Sequence, residues 1–132
     1  DGECRQSSEA GFLNHYLRES EKSPYLELSK KYTIVKPALG IYPTESTKMT
    51  EKEFDDALKF IRKNKPIAIG EIGMDYKEVT AEKEQQLMQK RFIQLVELAR
   101  ELNVPAIIHS RKAELAIIEI LEKIGYKKII MH

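Results

Sequence analysis

Short apolar runs separated by helical patterns dominate the chain from residue 66 onward. The runs occupy residues 66–70, 104–108 and 128–131. Between residues 50 and 64, apolar residues recur at the three- and four-residue spacing of an amphipathic helix, as Phe54, Ala57, Leu58 and Ile61 show. Apolar strands that alternate with helices are typical of βαβ units with a parallel sheet covered on both faces. The pattern therefore predicts an α/β fold.

Caps and helix breakers set the predicted boundaries of three helices. The first begins at Thr50, where Glu53 completes a capping box, and it ends before Pro66. The second runs from about residue 81 to residue 102, and a third covers residues 112–124, before a strand over 127–131. The predicted buried stripe of the second helix consists of Leu87, Met88, Phe92, Leu95, Val96, Ala99 and Leu102. Its Glu, Gln, Lys and Arg side chains are expected on the opposite, solvent-facing side.

The N-terminal part of the chain has a weaker pattern. Residues 1–20 are polar with little periodicity and remain poorly defined, residues 24–31 fit a short helix, and residues 32–41 fit a strand followed by a loop over 42–46. We therefore predict a single partial domain over 1–132, with consecutive βα units over 32–132. Since the chain lacks an initial Met and stops directly after a strand-like run, we expect it to be part of a longer protein.

Composition narrows the class of protein only modestly. The sequence is 42% hydrophobic and 33% charged with a formal net charge of +1, which is ordinary for a globular protein and gives no global field favouring nucleic acid or membranes. Cys4 is the one cysteine, so an internal disulfide is impossible and a cytoplasmic, reducing location is expected. The sequence contains no apolar run long enough to span a bilayer, so we expect no membrane partner.

Each apolar run leads into a potential metal ligand, namely Glu71, His109 and His132. Because the carboxyl ends of parallel strands share one edge, these side chains predict a common metal site. A carboxylate can bridge two cations, and imidazole is a common zinc ligand. Taken singly, Glu71 also fits a solvated glycine-rich turn, and His109 also fits a core histidine satisfied by a backbone carbonyl.

Two further features accompany the candidate ligands. Gly70 and Gly73 flank Glu71 and would permit close approach of the backbone. Arg111 lies two residues after His109, and its planar guanidinium suits phosphate or carboxylate. The alternative for Arg111 is a surface ion pair.

Two segments resemble the TatD family of metal-dependent hydrolases, within the wider amidohydrolase-like group. Residues 68–76, Ala-Ile-Gly-Glu-Ile-Gly-Met-Asp-Tyr, are similar to its Gly-Glu-Ile-Gly-Leu-Asp-Tyr segment. Residues 104–111, Val-Pro-Ala-Ile-Ile-His-Ser-Arg, are similar to its Pro-Val-Ile-Ile-His-Ser-Arg strand. The apolar strand ending in histidine recurs at His132, and the resemblance covers roughly residues 32–132.

The resemblance implies a TIM-barrel-like (β/α)8 metallo-hydrolase, of which this chain would hold about four βα units. It implies two divalent ions, with zinc, magnesium or manganese as candidates, and hydrolysis of phosphodiesters such as DNA. Glu71 would bridge the ions, His109 and His132 would ligate one of them, and Arg111 would contact phosphate. The isolated segment is expected to be inactive.

The sequence departs from the family pattern at three places. It lacks the His-x-His motif and the late Asp segment of the family, and Gly40-Ile41-Tyr42-Pro43 stands where many relatives have Gly-x-His-Pro. The last change is expected to remove one polar side chain from the mouth of the barrel. Two other functions stay open: an amidohydrolase-like deacylase or deaminase, and a catalytically incomplete half-barrel that associates with another chain.

Overall fold

A sheet that is parallel except at its first strand, with helices between its later strands, forms the described part of the chain. The computed structural model describes residues 4–6, 12–16 and 36–131. The strands are β1 (Cys4–Gln6), β2 (Phe12–Tyr16), β3 (Lys36–Gly40), β4 (Ala68–Asp75), β5 (Ala106–Arg111) and β6 (Ile129–Met131). The helices are α1 (Pro43–Ser46), α2 (Glu51–Asn64), α3 (Glu82–Leu102) and α4 (Glu114–Ile124).

The described strands form one six-stranded sheet in the order of the sequence. β1 pairs with β2 antiparallel, and each later neighbouring pair is parallel. The carboxyl ends of β2 to β6 therefore meet at one edge, and the predicted α/β arrangement is confirmed. The sheet has two strands more than the four predicted, because β1 and β2 come from the N-terminal segment, whose short strands show no clear alternation.

Local capping explains the boundaries of α2. The Thr50 hydroxyl accepts from the Glu53 amide at 3.1 Å, and the Glu53 carboxylate accepts from the Thr50 amide at 2.8 Å. Lys65 ends the helix in the left-handed region at φ 46°. Phe54, Ala57 and Ile61 are buried as predicted. The capping contacts lie within four residues in sequence, which is why the ends of the helix were predictable.

The segment after β3 differs from its prediction as a loop. Pro43–Ser46 forms the single helical turn α1, in which the Tyr42 carbonyl accepts from the amides of Glu45 at 2.9 Å and Ser46 at 3.0 Å. Pro43 favours this turn because its fixed φ suits the first helical position and its missing N–H is not needed there. The predicted strand over 32–41 is confirmed for Lys36–Gly40, and its first four residues and the predicted helix over 24–31 lie outside the described residues.

The long helix α3 packs against β4 through the predicted stripe. Met88, Phe92, Leu95, Val96 and Ala99 are buried, and Leu87 and Leu102 are half-buried. The expected placement of arginine on the solvent side of this helix is correct for Arg100 but wrong for Arg91, which is 2% exposed. Helical periodicity identifies a face by its average polarity, so it missed one charged residue whose partners come from another segment.

Apolar side chains remain exposed beside β6, the last described strand. Ile130 is 51% exposed and Met131 49% exposed, and Ile118 on α4 is 46% exposed. Met131 and Ile118 line a groove of about 460 Å³ together with Leu121, Tyr126 and Ile129.

Within the described ranges, no helix has the length and apolar character that crossing a membrane requires.

Candidate functional site

Glu71 is the fourth of the eight residues of β4, which continues past it to Asp75, and is buried, with 3% of its surface exposed. The β4–β5 register is irregular here: Ile69 pairs with Ala106 and Ile72 with Ile108, so three steps along β4 match two along β5. Such a bulge redirects the side chains within it, and Glu71 lies inside it. The burial excludes the alternative of a solvated acid in a glycine-rich turn, because Glu71 lies within a strand and has almost no contact with water.

The glycines around Glu71 have the predicted steric role. A Cβ on Gly70 would come within 2.6 Å of the Ile107 Cβ. Gly73 has φ 145°, and a Cβ there would overlap the backbone carbonyl oxygen of His109. β4 and β5 can therefore approach closely at the bulge only because both positions lack side chains.

His109, on β5, contacts two other side chains through its Nε2 atom. Nε2 lies 3.2 Å from the Tyr42 hydroxyl and 3.6 Å from Asp75 Oδ2. The Tyr42 and His109 rings also pack with their centroids 5.0 Å apart at 46°. The imidazole is 18% exposed, so it is accessible while held from two sides. These contacts favour a site residue over a core histidine satisfied by a backbone carbonyl.

Asp75 ends β4 and uses its two carboxylate oxygens for different purposes. Oδ1 accepts from the amides of Lys77 at 3.0 Å and Glu78 at 2.9 Å, while Oδ2 faces His109. The residue is 1% exposed. Sequence reasoning assigned Asp75 no role, although an aspartate followed by a polar loop is a common signal for this type of side-chain-to-backbone turn.

Tyr42 also supplies a polar group to this site, which corrects one prediction. The sequence Gly-Ile-Tyr-Pro was expected to remove a polar side chain from the mouth, yet the Tyr42 hydroxyl reaches His109. The longer phenol spans the distance from the start of α1 to the end of β5.

Nearby, burial raises the pKa of the Tyr76 hydroxyl, which stays neutral and donates to the Met74 sulfur at 3.8 Å.

Arg111 lies at the carboxyl end of β5, opposite Asp75 in the β4–β5 register. Its Nη1 is 3.8 Å from Glu78 Oε2, and both side chains are exposed. Its carbonyl accepts from the Tyr76 amide at 2.8 Å, which fixes the backbone next to the site. The ion pair is therefore of the weak surface type, and a role in phosphate binding stays a prediction.

The described residues provide part of a metal donor set. Glu71, Asp75 and His109 offer carboxylate and imidazole donors of the kinds that divalent ions accept. However, no three His, Cys, Asp or Glu side chains among the described residues form a group that could hold an ion. His132, the third predicted ligand, lies outside the described residues. The donors thus fit a metal in chemical type, and the predicted set of Glu71, His109 and His132 stays a prediction.

The fold and these motifs place the chain in a known family. The chain belongs to the TatD related DNase family, whose model matches residues 2–132. It is similar to human deoxyribonuclease TATDN3, with 33% identity over 118 residues that cover 81% of this chain and 43% of the relative. The Bacillus subtilis uncharacterized metal-dependent hydrolase YabD is 32% identical over 109 residues, covering 81% of this chain and 42% of that protein.

A solved structure supports the fold. The crystal structure of YjjV, a TatD homolog from Escherichia coli K12, superposes with a TM-score of 0.68 at 22% identity and covers 85% of this chain and 43% of that one. The predicted TIM-barrel-like α/β fold is thereby confirmed for a partial barrel. The family model and the relatives confirm the resemblance to the family. The chain spans less than half the length of these relatives.

Proposed function

We propose that the full-length protein is a divalent-metal-dependent phosphodiester hydrolase that acts on nucleic acid, with DNA as the first substrate to test. The observation that carries this proposal is the contact between a buried carboxylate and an imidazole near the carboxyl ends of β4 and β5. There the buried Asp75 carboxylate lies 3.6 Å from His109, and Glu71 is buried in the adjoining bulge. Membership of the TatD related DNase family supports the reaction class.

The residues of this chain would hold two metal ions, with zinc, magnesium and manganese as candidates. Glu71 would bridge the ions, while His109 and His132 would ligate one of them. A bound divalent ion supplies Lewis acidity to a phosphoryl oxygen and makes a bound water more acidic. Tyr42 and Asp75 would orient the imidazole of His109 from two sides, since both contact its Nε2 atom.

Arg111 would bind a phosphate of the substrate. Its guanidinium is exposed and only loosely paired with Glu78 at 3.8 Å. A phosphate can accept two parallel hydrogen bonds from a guanidinium, which makes it a better partner than an exposed carboxylate at this distance. Binding of substrate would therefore replace the Glu78 contact.

The test is turnover by the full-length protein with and without added manganese, magnesium or zinc. Substrates are single-stranded and double-stranded DNA and the generic phosphodiester bis(p-nitrophenyl) phosphate. Glu71→Gln should abolish metal-dependent turnover and weaken metal binding in calorimetry, because Gln keeps the size but loses the charge that offsets two cations. Its thermal denaturation should remain cooperative.

Glu97→Gln is the matched control, because it makes the same chemical change at an exposed position on α3. It should leave turnover and metal binding unchanged. Unchanged turnover in Glu71→Gln would contradict the role of Glu71, and a wild-type protein without turnover on each phosphodiester would contradict the proposed reaction.

The other functions considered from sequence receive no support from the comparisons. None of the relatives reported above carries a name that points to a deacylase or a deaminase. A cytoplasmic location, expected from the single cysteine, stays a prediction.

A further inference from the structure

The buried polar residues of the described chain fall into two groups. Among the residues described, those with buried polar or charged side chains are Ser46, Glu71, Asp75 and Arg91. Glu71 and Asp75 belong to the candidate site. Arg91 contacts the backbone of Ser46, and neither residue has a role in the function proposed above. Burying a guanidinium is unfavourable unless it is fully paired, so this second group calls for a physical reason.

Among the described residues, the side-chain partners of Arg91 come from one short stretch of chain. Nη1 donates to the Ser46 carbonyl and, at 2.7 Å, to the Met49 carbonyl. Nη2 lies 3.5 Å from Glu51 Oε2, and the guanidinium carbon lies 4.8 Å from the centre of the Phe54 ring. Arg91 on α3 thus clamps residues 46–54, which contain the connection between α1 and α2.

The clamped stretch is continuous with the residue that contacts His109. Ser46 donates its amide to the Tyr42 carbonyl at 3.0 Å and its hydroxyl to the Pro43 carbonyl at 2.8 Å. α1 is therefore one tied turn, with Ser46 at its end and Tyr42 at its start. Arg91 fixes the end of this turn, and the Tyr42 hydroxyl at the start lies 3.2 Å from His109 Nε2.

We infer that Arg91 is a positioning residue: it holds α1 so that Tyr42 stays on the imidazole of His109. The inference rests on the proposed function insofar as it takes His109 to be a site residue. Arginine suits the task because its planar guanidinium can bond two carbonyls and stack on a ring at the same time. Lysine has a single nitrogen and can satisfy only part of this arrangement.

The experiment reads the imidazole of His109 directly. In the metal-free full-length protein at fixed pH, the side-chain ¹⁵N and ¹H signals of His109 are recorded by NMR. Arg91→Met and Tyr42→Phe should each shift these signals in the same direction, and the double variant should shift them no further than the larger single change. In the active protein, Arg91→Met should lower kcat by roughly ten- to a hundredfold with a smaller change in KM.

Two variants separate positioning from general stability. Arg62→Met, which removes an exposed arginine of α2 that pairs with Glu101 on the same α3 helix, should leave the His109 signals unchanged. Arg91→Lys keeps a buried charge and should shift the His109 signals by an intermediate amount. It replaces Arg91→Met as the test variant if Arg91→Met does not fold. Unchanged His109 signals in folded Arg91→Met or Arg91→Lys, or additive shifts in the double variant, would overturn the inference.

This readout is independent of the proposed function. It needs neither metal nor substrate, so a wild-type protein without hydrolase activity would count against the reaction while the coupling of Arg91, Tyr42 and His109 is still measured.

Discussion

At the scale of single residues, His109 shows that a residue's position in a strand can be predicted from sequence, whereas its contacts with other segments cannot. Its place at the end of an apolar strand was evident from sequence. Its partners were not, because Tyr42 lies 67 residues away and Asp75 belongs to another strand. Asp75 is the most informative of these partners, since one oxygen holds the loop over residues 77–78 and the other faces the imidazole.

Asp75→Asn and Asp75→Ala should separate these two roles. Asn keeps an oxygen that accepts from the amides of Lys77 and Glu78, so its free energy of unfolding should stay close to wild type. Ala leaves those amides without their acceptor and should lower the free energy of unfolding by about 1–3 kcal/mol. Both should impair turnover, because both remove the charge beside His109. Urea unfolding and the phosphodiester assay provide the measurements, and equal destabilisation by Asn and Ala would show that the charge holds the loop.

At the scale of helices and strands, sequence succeeded where the determining contacts are local. Thr50 and Glu53 define the start of α2 within a single turn. The bulge at Glu71 was not predictable, because it exists only in the pairing of β4 with β5. Arg91 was assigned to the wrong face since helical spacing does not reveal which loop will cover a helix. β2 was missed because Phe12–Tyr16 lacks alternation and is recognised only beside β3.

The packing of α3 on the sheet predicts a large effect for Phe92→Ala. Phe92 is 1% exposed within the main hydrophobic cluster, so its truncation should lower the free energy of unfolding by about 3–5 kcal/mol. Leu115→Ala, at a position that is 77% exposed, should change it by less than about 0.5 kcal/mol. Denaturant titration of both variants checks the difference, and a small effect at Phe92 would show that α3 packs less tightly than described.

The contact between α2 and α3 predicts a pH dependence of stability. Arg62 donates two hydrogen bonds to Glu101, at 2.6 and 3.1 Å, and the pair lowers the pKa of Glu101. The folded state therefore binds this proton less readily than the unfolded state. The stabilisation is present above the unfolded pKa and is lost as pH falls through the lower folded pKa.

Glu101→Gln should accordingly flatten the loss of stability in the acid range, as followed by urea unfolding from about pH 6 down to about pH 3. Arg62→Met should flatten it similarly, whereas Glu97→Gln should retain the wild-type slope. A wild-type slope in Glu101→Gln would remove Glu101 as a source of the effect.

At the scale of the whole molecule, the described sheet from β2 to β6 has the order and direction expected for part of a barrel, while β1 runs antiparallel to β2. Its parallel strands follow one another in sequence, which is why βα alternation was sufficient to predict the class of fold. The single partial domain predicted over residues 1–132 stays a prediction. The exposed apolar side chains of Ile130 and Met131, on the last described strand, are the feature expected to affect association of the isolated chain.

The isolated 132-residue chain should be inactive and prone to associate. An unpaired strand edge with exposed apolar side chains favours pairing with another copy. Sedimentation velocity should show concentration-dependent association that Ile130→Lys reduces, because a charged side chain at the edge opposes pairing. Lys128→Arg, which preserves charge near the same edge, is the control. A stable monomer, or robust turnover by the isolated chain, would contradict this prediction.

The contact between Tyr42 and His109 has a consequence for the order of folding. It closes a loop of 67 residues, which includes α2, β4 and α3. Contacts of such long sequence separation carry an entropic penalty that is recovered only when the intervening elements have docked. The helices can form early from local interactions, whereas this pair can form only after β3, β4 and β5 have aligned. We therefore expect the contact between Tyr42 and His109 to form late in folding, after the helices.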